Sequence, residues 1–493
     1  MTKFLHKIFG SVPGDGEMQP KEGLSYSICG FGQNIICTII GSYLTVFMTD
    51  AIGFSALAVA FLMLGARVFD AMNDPIMGSI VDRTRTKWGK CRPYLKWMAF
   101  PIAAMTVICF LPWYPNNAGG FAAISIMYIV WGVIYTIADV PYWGLSTAMS
   151  NDTYRRGNLL TIARLFCTAG AGLVTIIVPI ITDNVTAGLD PAMKAEKLRM
   201  TYFIITLVCV AVATPLFFVG FKNTEERNQS VENPPSLKHN LQLLFKNKPL
   251  MLIVLSGIGG AARMLFTYTG GLYFAKYVMN RESMYALLTM SVVPGGLIAS
   301  VLVPYFTKKF GKRKTYIFSH IVGGAAMLIA FVVGIAVDHG NYTSGLTIGV
   351  LIAALVIAGI PSGFGNILTY AMIGDTVEYL ELKTGERAEG ICFAMQTFIN
   401  KIGMAVGAFV GVLAYYMAGI TPNDTASVTA GGKDTMWIML VGLAALSFFL
   451  TIIPLFFYKF NEKEQQEAVA EITRRKEAAA NADADATVGQ DEE

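Results

Sequence analysis

K-W-G-K-C-R-P-Y, from Lys87 to Tyr94, returns 222 residues later as K-F-G-K-R-K-T-Y, from Lys309 to Tyr316. A basic residue, an aromatic, a glycine, a second basic residue and a closing tyrosine recur in register, each copy directly after a long apolar run. Self-similarity at one fixed offset marks a duplicated unit. Basic loops alone are common to membrane proteins, so the weight rests on the aromatic-Gly-Lys core repeating in register. The reading is two copies of one structure, residues 1–221 and 249–460. They are joined by a polar stretch, 222–248, that holds Pro234 and Pro235 and reads as a cytoplasmic linker.

Outward from the two motifs the chain is apolar. Of its 493 residues 54% are hydrophobic and 15% charged, against about 25% charged in an ordinary soluble domain, which excludes a water-soluble fold. Runs of about 20 apolar residues, enough to cross a ~30 Å hydrocarbon core, recur throughout. Only helices close their own backbone bonds in open lipid, apart from sealed barrels. Twelve spans are expected, near 24–47, 54–80, 94–113, 119–148, 158–182, 200–220, 249–279, 284–306, 314–336, 345–372, 389–418 and 435–458. The expected fold is an all-α membrane protein of twelve transmembrane helices in two six-helix pseudo-repeats.

Lys and Arg crowd the loops after spans 2, 4 and 8 (Arg83, Arg85, Lys87, Lys90, Arg92; Arg155, Arg156; Lys308, Lys309, Lys312, Arg313, Lys314). By the positive-inside rule those loops and both termini are cytoplasmic, in a multi-pass protein of the cell membrane. The net charge of +4 reflects this bias and points to no nucleic acid. The seven cysteines, odd in number and mostly inside spans, read as free packed thiols. Lys3 and Lys7 precede Pro13 without an apolar core between, so no cleaved signal is expected. The tail, 461–493, reads as a short soluble helix fading into disorder whose truncation leaves transport intact.

A charge at the bilayer centre costs from ~2.5 to more than 10 kcal/mol, so embedded charges are paired, hydrated or functional. Span 2 holds Arg67, Asp70 and Asp74 on one helical face, with Asn73 alongside. Two carboxylates one turn apart, with an amide and the Thr136 hydroxyl of span 4, offer hard oxygens to Na⁺ or Li⁺. The same pair could bind H⁺, because close carboxylates repel. The plainer reading is an ion pair with Arg67, but one Arg does not neutralise two carboxylates. Asp139 and Trp143 lie four apart on span 4; a carboxylate can take bonds from adjacent sugar hydroxyls while an indole covers the ring's apolar face. The alternative there is an Asp139–Arg164 pair beside a packing Trp. Lys401 of span 11, near Gln396, could bridge the carboxylates and the sugar. Gly374 to Arg387, with Asp375 and Glu378, reads as a cytoplasmic charged stretch between spans 10 and 11, either a gate or a solvated loop.

Four stretches, F-D-A-M-N-D-P-I-M-G (Phe69 to Gly78), Y-T-I-A-D-V-P-Y-W (Tyr135 to Trp143), G-D-T-V-E-Y (Gly374 to Tyr379) and M-Q-T-F-I-N-K (Met395 to Lys401), together resemble the glycoside-pentoside-hexuronide:cation symporters. That family includes the melibiose carrier and lies within the major facilitator superfamily. The resemblance covers about residues 20 to 460. It implies the major facilitator fold, Na⁺, Li⁺ or H⁺ as coupling ion, no other cofactor, and a glycoside, pentoside or hexuronide as cargo. It implies a cation site at Asp70, Asp74, Asn73 and Thr136, and sugar and coupling positions at Asp139, Trp143, Arg164, Gln396, Thr397 and Lys401.

Two positions depart from the melibiose carrier: Asn34 stands where that carrier has an acidic residue in span 1, and Arg263 lies in span 7, which is uncharged there. Counting embedded charges gives Arg67, Arg164, Arg263 and Lys401 against Asp70, Asp74 and Asp139. An anionic sugar held by Arg263 would relieve the positive excess, and this tips the expectation toward a uronide. The expected mechanism is ordered symport by alternating access, carried out by a monomer, with no bond-making step and hence no enzyme. A lipid or drug carrier of the same superfamily would favour a wide apolar cavity over Asp139 and Trp143. A channel or receptor would not need a two-fold repeat with buried opposite charges.

Overall fold

Long apolar runs must satisfy their backbone groups locally, and the chain does so with helices throughout. The computed structural model describes residues 18–150, 153–227, 237–386 and 389–488, and holds no strand among them. In chain order the helices are α1 (Pro20–Ile52), α2 (Ala56–Arg83), α3 (Arg92–Cys109), α4 (Ala118–Met149), α5 (Thr153–Thr186) and α6 (Pro191–Asn223). A short α7 (Leu237–Lys246) precedes α8 (Lys248–Gly259), α9 (Thr269–Tyr277), α10 (Met284–Phe310), α11 (Lys312–Asp338), α12 (Gly345–Thr384), α13 (Glu389–Met417), α14 (Ala430–Phe456) and α15 (Glu462–Val488). Ten of these are long and apolar enough to cross a bilayer. The 18-residue α3 and the pair α8–α9 occupy the positions of the third and seventh expected spans.

Helices pack mainly within each half, α1 against α5 and α6, and α12 against α10 and α11. Small residues let backbones touch: a Cβ on Gly295 would lie 1.9 Å from the Val356 carbonyl oxygen, and one on Gly359 would lie 2.1 Å from that of Val292. The halves meet where α2 runs along α13 and α5 along α10. Large apolar side chains such as Phe100, Val301 and Phe457 point out of the bundle, the surface that hydrocarbon covers.

The two motif copies have the same local architecture. Gly89 and Gly311 both take positive φ, 104° and 81°, which a side chain would resist. Behind each, a helix begins whose N-terminal amides need an acceptor. Glu226, after α6, accepts N–H bonds from Lys90, Cys91 and Arg92 at 2.9, 2.8 and 2.8 Å. Glu462, after the last span of the other half, accepts the Lys312 N–H at 2.5 Å. Each half thus carries a carboxylate from its own C-terminal end to the start of its third span, where the helix dipole favours negative charge.

Three expectations need correction. The seventh span is not continuous: after Gly259 and Gly260 the chain makes a 3₁₀ turn, Ala261–Met264, before α9. Glycine lowers the cost of leaving the helix, and the break is tolerated because protein surrounds it. The stretch from Gly374 is not a loop, because α12 runs on to Thr384 and ends on Gly385 in the left-handed region. Arg387 lies outside the described residues. The tail is neither short nor detached: α15 extends to Val488, Gln465 donates to Glu378 at 2.8 Å, and Arg475 donates to the Leu382 carbonyl at 3.1 Å.

Candidate functional site

The span-2 face read from sequence exists, with its two carboxylates separately partnered. Arg67 Nη1 lies 3.4 Å from Asp70 Oδ2. The other Asp70 oxygen fits against α4 only because residue 132 is glycine: a Cβ there would lie 2.6 Å from it. Asp74 is paired across the molecule, its Oδ1 2.5 Å from Lys401 Nζ of α13. The Thr136 hydroxyl is turned toward the same carboxylate. Asn73 Nδ2 is buried without a hydrogen-bond partner.

One turn along α4 lies the second carboxylate system. Asp139 Oδ1 accepts from Gln33 Nε2 of α1 at 2.6 Å and from Trp143 Nε1 at 3.2 Å. Arg164 does not pair with Asp139. Its guanidinium sits 4.6 Å from the Trp143 ring centroid and donates to the Tyr370 hydroxyl of α12 at 3.2 Å. Among the described residues it makes no ion pair. The Lys401 charge, supplied by the C-terminal half, holds Asp74 directly and acts on Asp70 and Asp139 as well. Gln396 is buried and donates to Asn400 at 3.3 Å, while its Oε1 has no partner. Thr397 is exposed, and its side chain makes no hydrogen bond among the described residues.

Two expected members lie elsewhere. Asn34 donates to the Gly30 carbonyl of its own helix at 3.1 Å; the neighbouring Gln33 is the α1 residue that reaches Asp139. Arg263, in the 3₁₀ turn, donates to the Gly260 carbonyl at 3.2 Å and faces Thr451 of α14. Among the described residues neither a hydrogen bond nor an ion pair joins it to Asp139. The charges that meet in the site are Arg67, Arg164 and Lys401 against Asp70, Asp74 and Asp139, a balanced set. Asp375 and Glu378 also stand apart, Asp375 holding Lys312 through both oxygens at 2.7 Å. Three further embedded charges stand apart from this set: Lys276, inside the expected seventh span, and Asp50 and Glu282, just beyond the expected ends of the first and seventh.

The family described as MFS/sugar transport protein matches residues 25–462. The chain belongs to it. Relatives include an isoprimeverose transporter of Lactiplantibacillus pentosus, 31% identical over 94% of this chain and 93% of that protein. A glucuronide carrier protein homolog of Escherichia coli (strain K12) is 27% identical over 92% and 95%. These matches support the glycoside-pentoside-hexuronide:cation symporter assignment drawn from the four motifs. The fold is shared with crystal structures of the nucleoside transporter NupG (TM-score 0.62, 14% identity, 88% of this chain and 99% of that one). It is shared also with a D-xylose-proton symporter (0.56, 14%, 87% and 96%). This MFS/sugar transport protein is accordingly a membrane transporter and not an enzyme.

Proposed function

We propose that this transporter imports a small glycoside across the cell membrane by symport with Na⁺, Li⁺ or H⁺, both termini facing the cytoplasm and a single chain sufficing. The observation that carries the reading is Lys401 on Asp74: a carboxylate toward which the Thr136 hydroxyl is turned, held by a cation that belongs to the other half. Hard oxygens of this kind suit Na⁺ or Li⁺, and a carboxylate also suits H⁺. In this reading the coupling ion takes the place of the ammonium on Asp74, and Lys401 is freed toward Asp139 and the sugar. Ion and sugar then raise each other's affinity by the same factor, as linkage requires.

Trp143 offers an apolar face, and Asp139 an acceptor, to a sugar ring. With Arg263 outside the site, the positive excess that favoured an anion is gone, and a neutral glycoside fits the balanced set. The second reading, a uronide, has one specific support: Arg164 has no carboxylate partner among the described residues and could hold one through two parallel bonds. The names of the relatives, one for isoprimeverose and one for glucuronide, supply the probes. Uptake of each into vesicles under imposed Na⁺, Li⁺ or H⁺ gradients tests the proposal. Accumulation against a concentration gradient with one of the three ions supports it; uptake that never exceeds equilibrium with any ion overturns the coupling.

A further inference from the structure

On the face opposite the basic loops the two halves exchange buried carboxylates. Asp50, at the end of α1, is 1% exposed, and each of its side-chain donors from another helix comes from the C-terminal half. Lys276 lies 2.5 Å away, the Tyr277 hydroxyl 2.6 Å and the Tyr415 hydroxyl 3.3 Å, and Asn423 donates to the Asp50 carbonyl at 2.6 Å. Glu282, just after α9, is 4% exposed and returns the arrangement. It accepts from Thr182 of α5 at 2.9 Å and Tyr202 of α6 at 3.4 Å, both in the N-terminal half. Asp183 of that half accepts the backbone N–H groups of Glu282 and Ser283 at 3.1 and 2.8 Å. Lys276 lies between the systems, 4.0 Å from Glu282.

We propose that this reciprocal exchange is the outer gate of the transporter. Bonds inside one half survive a rocking motion, but bonds between halves must break whenever this face opens. Here each carboxylate is buried in the donors of the opposite half, and separating them without admitting water would leave uncompensated buried charge. Partial opening is therefore the least favourable arrangement, and the seam has two states, closed and hydrated. That is the bistable behaviour alternating access needs. The symmetry has a simple origin: Asp50 ends the first span of its half and Glu282 follows the first span of the other, so the duplicated fold places an acid at both equivalent ends.

Ser42 of α1 provides a reporter. It is buried, lies beside Tyr285, and its neighbour Gly41 approaches Arg67 of the site below. A Ser42→Cys variant in right-side-out vesicles is treated with a membrane-impermeant maleimide, with the unaltered chain labelled in parallel for its native cysteines. Asp50→Asn and Glu282→Gln should each raise the labelling rate at least about tenfold, the shift that accompanies loss of one hydrogen bond to a charged group. Tyr277→Phe should give a smaller rise, and carries the test alone if the acid variants do not reach the membrane. Equal rates in all variants overturn the gate. The proposal takes the outer side from the orientation proposed above, so faster labelling confined to inside-out vesicles would overturn that orientation while keeping the gate. No coupling ion or sugar enters the measurement.

Discussion

Lys401 of α13 places its ammonium 2.5 Å from Asp74 of α2, so a carboxylate of one half is neutralised by the other half. This is the same cross-half logic as Asp50 with Lys276, at the centre of the molecule instead of its outer seam. A contact of this kind reports the relative position of the halves, which is what an ion-coupled carrier must sense.

Removing Asp74 separates coupling from sugar binding. Asp74→Cys should abolish ion-driven accumulation while counterflow exchange of the sugar persists within about tenfold of the parent rate, since Asp139 and Trp143 are untouched. Lys401 then loses its 2.5 Å partner while Asp70 and Asp139 still act on its charge, so the loss should stay below the about 3–5 kcal/mol of a fully uncompensated buried charge, and a modestly lower melting temperature is expected. Unimpaired uphill uptake in the variant would refute the role of Asp74.

Gly132 controls where Asp70 can sit. Gly132→Ala places a methyl in the space of Asp70 Oδ1, and the carboxylate tip can rotate away. The stability cost should stay near the low end of overpacking, about 1 kcal/mol, while the ion concentration for half-maximal uptake rises by roughly tenfold, or ~1.4 kcal/mol. Gly78→Ala, where a Cβ meets nothing within 4 Å, is the control and should change neither. An unaltered ion requirement in Gly132→Ala would remove Asp70 from the cation site.

The sequence placed the helices, the repeat and most of the central charges, because embedded charge is costly and therefore conspicuous: Arg67, Asp70, Asp74, Asp139, Arg164 and Lys401 lie where that argument put them. It could not pair them. Arg67 and Asp70 are three residues apart and so legible, whereas Lys401 and Asp74 are 327 apart and meet only once two halves pack. Gln33 was missed because an amide carries no charge to flag it, although a glutamine between Gly32 and Asn34 in an apolar span was the available signal. Arg263 was misplaced because hydropathy does not register a helix break, and the 3₁₀ turn redirects its side chain. The outer acids were missed because an acid at a span end reads as a solvated one.

Gln33 should matter to the sugar through Asp139. Gln33→Ala removes a 2.6 Å bond to that carboxylate, and a bond to a charged group contributes about 1.5–3 kcal/mol. Sugar affinity should therefore fall by at least about tenfold in a direct binding titration, with the ion requirement unchanged. Gln33→Glu sets a second carboxylate against Asp139, so binding should then strengthen as pH falls, because protonating either acid removes their repulsion. A pH-independent Gln33→Glu variant would show that the two side chains separate when sugar binds.

The duplicated motif makes the last expectation quantitative. Glu226 accepts three backbone N–H bonds at the start of α3, and Glu462 accepts one at the start of α11. The two carboxylates occupy equivalent places, so they differ mainly in how many amides they satisfy. Glu226→Ala should cost about 4.5 kcal/mol and Glu462→Ala about 1.5 kcal/mol, taking each bond at the low end of the range for a charged acceptor. Truncation after Phe460 removes Glu462 together with the Gln465 bond to Glu378 and the Arg475 bond to Leu382. It should destabilise more than Glu462→Ala alone, contrary to what the tail's composition suggests. Thermal unfolding in detergent ranks the three variants, and a truncated chain as stable as the intact one would show that α15 contributes nothing to the packing of the C-terminal half.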